Sequence, residues 1–442
     1  MTVLVLDVGK THAKLSAWSS EGEPLETIQR VNRRGSGPGA RLDMAGVAEW
    51  FAPAARTMVD RHGPVTDFVS VGHGAAAALI GTDGHCDAPR DYEAPIPREV
   101  DGRYEAIRDG FDATGSPSLG AGLNLGRQLM ALQVEGRWPD DALIVPWPQV
   151  WGWRLTGARA SELTSLGCHT DLWNPWTGEP SPMARAMGWD RHMAPLRRAD
   201  DVLGLAAGPA AREAGLEGAA VRCGLHDSNA ALWGARALPL DDAASVTVLS
   251  TGTWFVAMRA LVEGETGQGL ALGPDDLINV DVEGRPTPSA RFMGGRWSDE
   301  RLGPLRARLF ETALQPAILE AADLRLEAQV EIDEASDDVD RLAMVAVALA
   351  HEAASMLARI DSRGPVLIDG VFGRSEAFVR ALAALRPKQS ILTSDRLDLV
   401  SLGALRLAVP GITVPSAPVR VRPLSPSDIA PARARVQAGT PS

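Results

Sequence analysis

The sequence predicts an α/β protein of two domains that repeat one arrangement of strands. A strand at residues 3–6 ends at Asp7 and continues through a glycine turn into a second strand that reaches Trp18. Residues 246–258 repeat this order, with a turn that carries hydroxyl groups and a glycine. Glycine lets a backbone approach phosphate oxygens closely. Two domains that each begin with such a hairpin indicate a duplicated fold that closes on one nucleotide.

Length, composition and charge limit the class of protein. A chain of 442 residues is long enough for two large domains, and 45% hydrophobic with 23% charged residues is typical of a globular protein. The net charge of −12 and the pI of about 5.2 disfavour nucleic acid as a partner. No apolar run reaches the length of a membrane span, no signal peptide begins the chain, and the three cysteines are far apart. We therefore expect a cytoplasmic protein that binds neither nucleic acid nor membranes.

The first turn is a candidate phosphate site. Asp7 ends the first strand and could hold Mg²⁺ through water. Gly9, Lys10 and Thr11 could offer N–H, ammonium and hydroxyl donors, and Lys14 a further cation. The alternative is a plain hairpin at the edge of a sheet, because short glycine motifs recur by chance.

Two further segments could contact a polar substrate. A strand at residues 68–72 leads to His73 and Gly74, at a strand end where ligands gather in open α/β sheets. Residues 119–134 predict a helix with Asn124 and Gln128 on one face. The alternatives are a structural histidine and a solvated helix face.

The segment around Asp227 carries the strongest chemical signal. Asp227 lies just ahead of a predicted helix, where unpaired backbone N–H groups favour negative charge. The later turn at Thr251, Gly252 and Thr253 suits a phosphate cradle. A carboxylate on one side and a phosphate cradle on the other is what phosphoryl transfer to an alcohol needs.

Near the end of the chain, residues 365–385 predict a strand, a glycine turn and a helix. A helix start of this kind can seat an adenosine or its α-phosphate, although a bare strand–turn–helix unit has the same pattern. The residues concerned are Gly370, Gly373, Arg374 and Ser375. Residues 410–442 are rich in proline, arginine and alanine and predict a peripheral tail.

The order of these motifs resembles the FGGY family of carbohydrate kinases. The five pieces that carry the resemblance are residues 7–14, 119–176, 226–228, 249–254 and 369–375. The sequence His226-Asp227-Ser228, together with Asn279 and Arg291, is most similar to the L-rhamnulose and L-fuculose kinase branch. Lys14 stands where that family usually has arginine.

The resemblance implies two actin-like, ribonuclease-H-like domains, residues 1–238 and 239–442, with ATP in the cleft. It implies Asp227 as general base and Asp7 as the Mg²⁺ partner. The implied sugar contacts are His73, Gly74, Gln128, His226 and Ser228. The implied ATP contacts are Gly9, Lys10, Thr11, Lys14, Thr251, Gly252, Thr253, Gly370, Gly373, Arg374 and Ser375.

Several alternatives stay open at this point. The acceptor could be xylulose, ribulose, erythrulose or glycerol, or the protein could be a sensor that binds ATP and sugar without transfer. A chaperone-like member of the fold would not need a base at Asp227. A dinucleotide oxidoreductase is disfavoured because no Gly-x-Gly-x-x-Gly follows the first strand. A homodimer through a helical face is compatible with the sequence.

Overall fold

The computed structural model describes residues 1–424, except 34, 329–334, 395–397, 413 and 415–416. The strands of the first domain are β1 (Thr2–Val8), β2 (His12–Ser19), β3 (Pro24–Val31), β4 (Val65–Gly72), β5 (Ala77–Ile80), β6 (Leu143–Pro146), β7 (Ser161–Glu162), β8 (Trp173–Asn174), β9 (Glu179–Pro180), β10 (Leu196–Arg197), β11 (Val202–Leu205), β12 (Ala220–Arg222) and β13 (Leu225–His226). Its helices are α1 (Met44–His62), α2 (Arg98–Glu105), α3 (Phe111–Thr114), α4 (Leu125–Val134), α5 (Trp147–Thr156), α6 (Leu163–Leu166), α7 (Pro182–Ala186), α8 (Gly208–Ala214) and α9 (Asp227–Ala235).

The second domain follows the same plan with fewer additions. Its strands are β14 (Thr247–Thr251), β15 (Phe255–Arg259), β16 (Leu277–Val280), β17 (Pro286–Phe292), β18 (Val366–Gly370), β19 (Ile391–Thr393) and β20 (Val419–Arg420). Its helices are α10 (Gly294–Leu302), α11 (Gln315–Ala328), α12 (Asp338–Arg359), α13 (Glu376–Leu385) and α14 (Leu399–Ala408). Short 3₁₀ helices span Trp189–His192, Ala243–Ser245, Gly303–Phe310, Thr312–Leu314 and Val371–Arg374.

The two main sheets repeat one topology. The first runs β11–β12–β4–β1–β2–β3, and the second runs β16–β17–β15–β14–β18–β19–β20. In the first sheet, β1 pairs antiparallel with β2 and parallel with β4, which follows a helix. In the second sheet, β14 pairs in the same way with β15 and with β18. This confirms the predicted pair of hairpins and the α/β fold of two ribonuclease-H-like domains.

The central strand β1 is buried because its sequence is apolar on both faces. Residues 3–6 of β1 are at most 1% exposed, as expected for a strand that is covered by helices on both sides. The N-terminus of α1 is capped by Asp43, whose side chain accepts from the Gly46 N–H, and the helix ends at Gly63 with a φ of 83°.

Helices α9 and α14 cross between the two sheets and join the domains. Glycine allows the close contact: a Cβ at Gly403 would lie 1.9 Å from Ala230 O, and one at Gly234 would lie 2.3 Å from Leu399 O. The apolar core around this crossing contains side chains from both sheets, including Val5 of β1 and Val248 of β14. The two domains thus share one packed contact at the base of the cleft.

One sequence prediction changes in the structure, and two others are not tested by it. The helix predicted at residues 119–134 begins only at Leu125, because residues 120–122 form a turn in which Ala121 has a φ of 52°. Residues 425–442 of the predicted tail lie outside the described residues. The predicted division after residue 238 falls between α9 and β14 and stays a prediction.

One helix, α12, is long and apolar enough to cross a membrane, considering the described residues alone. Of its most apolar window, 61% is buried inside the protein. Its N-terminus is capped by Asp337, which accepts from the Asp340 N–H. These are properties of a core helix that covers the second sheet.

Candidate active site

Asp227 occupies the first position of α9, directly after the short strand β13. Because β13 pairs with the end of β4, the carboxylate lies at the edge of the sheet where ligands bind in α/β folds. The preceding turn requires glycine, since Gly224 has a φ of 78° and a Cβ there would lie 2.0 Å from Ser70 O. Asp227 Oδ1 accepts from the Ser228 N–H at 2.6 Å and from its hydroxyl at 3.2 Å.

His226 stands beside this carboxylate as a neutral imidazole. Burial lowers the pKa of His226 to about 4. Asn229 Nδ2 donates to His226 Nδ1 at 3.2 Å, which leaves the ring proton on Nε2, 3.1 Å from Asp227 Oδ1. The His226 backbone N–H donates to the Thr164 hydroxyl at 2.9 Å, and that hydroxyl donates to Glu162 at 2.6 Å. This chain of contacts fixes His226, and His226 orients Asp227.

Four carboxylates and one lysine meet in the cleft next to this helix. Lys14 Nζ lies 2.8 Å from Asp398 Oδ2 and 3.4 Å from Asp7 Oδ2. Burial raises the pKa of Asp7 and of Asp369 to about 6, and Lys14 opposes both shifts. Burial likewise raises the pKa of Asp227. At Asp398, burial acts in the same direction, but Lys14 and the hydrogen bonds from Ser401 together lower the pKa.

The excess of carboxylates in this cluster fits a divalent cation. Lys14 supplies one positive charge against four carboxylates, so it does not offset their charge when all four are ionised. No group of three or more His, Cys, Asp or Glu side chains in the described ranges forms a complete metal cage. Mg²⁺ does not require such a group, because it keeps several waters and binds through one or two carboxylates and substrate phosphates. Asp7 remains the predicted partner.

The first phosphate turn is held by a residue that sequence reasoning missed. Asn32 Nδ2 donates to Gly9 O at 2.8 Å, and the Asn32 N–H donates to Thr11 O at 2.8 Å. Lys10 points elsewhere, because its Nζ lies 2.6 Å from Asp91 Oδ1 and 2.7 Å from Glu93 Oε2. The geometry therefore leaves Gly9, Thr11 and Lys14 near the cleft and engages Lys10 with carboxylates.

In the second phosphate turn, the Thr251 hydroxyl is used in contacts within the protein, whereas the next two residues are exposed. The Thr251 hydroxyl donates to Asp369 O at 2.6 Å and accepts from the Phe372 N–H at 3.2 Å, so it ties β14 to the end of β18. Gly252 and Thr253 are exposed at the tip of the turn. Gly252 and Thr253 stay the predicted phosphate contacts of this turn, and the Gly252 N–H donates to Trp254 O at 3.0 Å.

The predicted adenosine motif forms a tight turn at the end of β18. Gly370 has a φ of 93°, and a Cβ there would lie 2.4 Å from Thr251 O. The turn continues through the 3₁₀ helix that contains Gly373 and Arg374, and Arg374 is exposed. The Ser375 hydroxyl is fully buried with no partner among the described residues, so it retains unused hydrogen-bonding capacity at the start of α13.

A cavity of about 290 Å³ opens beside Asp227, between the two domains. Its lining includes four of the five predicted sugar contacts, His73, Gly74, His226 and Ser228. Gln128 does not line it. The Gln128 amide is buried within the first domain and donates to Ala75 O at 2.7 Å and to Gly122 O at 2.6 Å, so its donors are used in holding loops together.

The first-domain wall of the cavity is shaped by Gly74. A Cβ at this position would lie 2.6 Å from Cys168 Sγ and 3.2 Å from His226 Nε2. The neighbouring His73 places Nδ1 2.8 Å from Gly74 O, while its Nε2 is buried with no partner in the described part of the chain. Burial lowers the pKa of His73, so the ring is neutral near pH 7.

Other lining residues could not be found from local pattern. Tyr92, Cys168 and His169 lie in irregular loops, where hydrophobic periodicity carries no signal, and His169 has a φ of 38°. The second domain contributes Trp254, Asn279 and Arg291, among others. For Asn279 and Arg291 the family resemblance was the one available signal.

Comparisons with known proteins agree with this architecture. Residues 243–416 match the family described as carbohydrate kinase FGGY, C-terminal domain. A search of curated proteins gave no match. A solved carbohydrate kinase from Novosphingobium aromaticivorans is 39% identical, with a TM-score of 0.87, and the match covers 98% of this chain and 99% of that one.

More distant structures share the fold. A xylulose kinase from Lactobacillus acidophilus has 13% identity and a TM-score of 0.78, covering 99% of this chain and 98% of that one. A gluconate kinase from the same organism has 12% identity and a TM-score of 0.77, covering 99% and 97%.

Proposed function

Since the chain belongs to the FGGY family of carbohydrate kinases, and so is a phosphotransferase with an alcohol acceptor, we propose that it transfers the γ-phosphoryl group of ATP to a primary hydroxyl of a ketose, with Asp227 as general base. The observation that carries this proposal is the position of Asp227. It lines the cavity on one side, and on the other it lies close enough to Lys14 for the two charges to interact. An acceptor in the cavity and a phosphate near Lys14 would meet at this carboxylate.

The residues around Asp227 support this role. One carboxylate oxygen is oriented by Ser228 and by His226 Nε2, which leaves the other to accept a hydrogen bond from the acceptor hydroxyl. Burial raises the pKa of Asp227, which makes it a better base than an exposed aspartate. In a loose transition state the proton moves late, so the carboxylate first orients the hydroxyl and then accepts its proton.

The two phosphate turns would offset the negative charge on the transferring phosphoryl group. Gly9 and Thr11 on one side and Gly252 and Thr253 on the other lie at the strand ends that border the cleft. Lys14 supplies a fixed cation between Asp7 and Asp398. Bound Mg²⁺, held near Asp7, would supply the remaining positive charge.

The motif His226-Asp227-Ser228 favours L-rhamnulose or L-fuculose as the acceptor, and xylulose, ribulose, erythrulose and glycerol are the alternatives. We place the reaction in the cytoplasm, where ATP is available. The three cysteines are free, which fits a reducing compartment.

The test is release of ADP from Mg-ATP across a panel of these acceptors. One strong responder whose turnover is abolished in Asp227→Asn would establish the kinase and its substrate. If ATP binds but no acceptor of any kind stimulates ADP release, the sensor alternative replaces the proposal.

A further inference from the structure

Arg291 is a buried cation in the wall of the cavity without a close counter-ion. Its side chain is 10% exposed, and its nearest carboxylate is Asp275, with Oδ1 3.9 Å from Nη2. Asp275 is itself 67% exposed, so water screens that pair. The guanidinium otherwise donates from Nε to Asp275 O at 3.1 Å and stacks 4.9 Å from the centre of the Trp254 ring.

Other arginines that are similarly buried each have a close carboxylate partner. Arg90, Arg108, Arg127 and Arg259 are each at most 11% exposed, and each has a carboxylate oxygen within 3.2 Å. A buried charge without such a partner is unfavourable unless a ligand supplies one. The fold therefore leaves Arg291 with an anion-binding capacity that the protein does not use itself.

Arg291 lines the same cavity wall as Trp254, and the carboxylates around Lys14 are not among the main groups that shift its pKa. Burial lowers its pKa, and the groups that act against this shift are Asp275, Cys168, Asp276 and Tyr92. Cys168 and Tyr92 line the first-domain wall of the cavity. An anion bound by Arg291 would thus be part of the acceptor.

The rest of the lining supplies no competing cation. Burial lowers the pKa of His169 to about 3 and that of His226 to about 4, so both rings are neutral at pH 7. Beside Arg291, Asn279 donates from Nδ2 to Ser289 Oγ at 2.7 Å, while its Oδ1 is buried without a donor among the described residues. The cavity thus has a carboxylate, Asp227, and a guanidinium, Arg291, with hydroxyl-binding groups between them.

From this arrangement we infer that the acceptor is a sugar acid: its carboxylate pairs with Arg291, and its primary hydroxyl reaches Asp227. Guanidinium and carboxylate form two parallel hydrogen bonds, which would fix the sugar's direction in the cavity. The inference rests on the proposed kinase function, but it replaces the favoured acceptors, because L-rhamnulose and L-fuculose end in a methyl group where a sugar acid carries its carboxylate.

Matched probes test the inference. D-Gluconate is compared with D-glucitol, D-fructuronate with D-fructose, and D-tagaturonate with D-tagatose, because each pair differs only in carboxylate against hydroxymethyl. Binding is measured by the shift in thermal unfolding and turnover by ADP release. We expect at least one acid to bind at least tenfold more tightly than its neutral partner. If no acid outperforms its partner, the inference is wrong, and turnover with a neutral ketose would leave the kinase proposal intact.

Two variants assign the effect to the guanidinium. Arg291→Gln should raise the KM for the acid by about tenfold to a hundredfold and leave the KM for ATP within about threefold. Arg301→Gln is the control, since Arg301 stacks on Trp297 at 3.9 Å and neither residue lines the cavity. If Arg291→Gln instead lowers turnover equally for acids and neutral sugars, or raises the KM for ATP, Arg291 acts on the phosphate and the inference fails. Binding of an acid without turnover would support its pairing with Arg291 but contradict its role as acceptor, and with it the kinase proposal.

Discussion

Lys14 of the first domain lies 2.8 Å from Asp398 of the second, and this ion pair joins the two domains across the cleft. Asp398 also caps α14 by accepting from the Ser401 N–H at 3.1 Å. The same lysine lies 3.4 Å from Asp7 on β1. One ammonium group therefore links the first phosphate hairpin to the helix that crosses between the domains.

Lys14→Met should impair the enzyme far more than Lys10→Met. Removing the cation from among four carboxylates leaves their repulsion unopposed, so we expect turnover to fall by about tenfold to a hundredfold. Lys10 is occupied by Asp91 and Glu93, and its loss should change turnover by less than about threefold. Both are measured by ADP release at saturating substrates. Equal losses in the two variants would mean that Lys10 leaves its carboxylates to bind phosphate.

Asp227→Asn should lower turnover by roughly a hundredfold or more, because an amide cannot accept the proton of the acceptor hydroxyl. ATP affinity should be retained, since Asp227 accepts from Ser228 and His226 and the turns that face phosphate are separate. Fluorescent nucleotide binding and single-turnover ADP release measure the two properties on one sample. Near-normal turnover would remove Asp227 from the role of base.

The Mg²⁺ requirement should increase as the pH falls below about 6. The pKa of Asp7 is raised to about 6 by burial, so its carboxylate is ionised at pH 7 and becomes protonated below pH 6. A protonated carboxyl holds Mg²⁺ poorly, so the concentration for half-maximal rate should rise about tenfold per pH unit below the pKa. Titrations of Mg²⁺ at about pH 7.5 and about pH 5.5, on either side of that pKa, test this. Asp7→Asn should show a high requirement at both values, and a constant requirement in the unmodified protein would contradict the assignment of Asp7.

The fold was predictable from the sequence because both hairpins leave a strong local signal. The apolar runs of β1 and β14 each end at a turn with glycine, and the structure confirms both. Asp227 could be identified for the same reason, since a carboxylate at a helix start after a short strand is a local feature. The helix before Gln128 was placed too early because three residues, 120–122, turn in a way that composition does not reveal.

Residues brought together over long distances could not be predicted. Asp398 contacts Lys14 although it lies 384 positions further along the chain (398 − 14 = 384). No hydrophobic periodicity predicts such a contact. The pairing of Lys10 with Asp91 and Glu93 is equally non-local. Sequence pattern gives the elements, whereas the partners of each charge depend on how the domains pack.

The crossing of α9 and α14 provides a stability test that is independent of chemistry. In Gly403→Ala the new Cβ would lie 1.9 Å from Ala230 O, so the helices must separate, and we expect a loss of about 1–3 kcal/mol in the free energy of unfolding. Gly102→Ala is the matched control, because Gly102 is also helical and has no atom within 4 Å of the added Cβ. It should raise the stability by up to about 1 kcal/mol through helix propensity. Urea unfolding of both variants measures the difference. If Gly403→Ala were as stable as Gly102→Ala, the close packing of the two helices would not hold the domains together, and the ion pair between Lys14 and Asp398 would have to be the main link across the cleft.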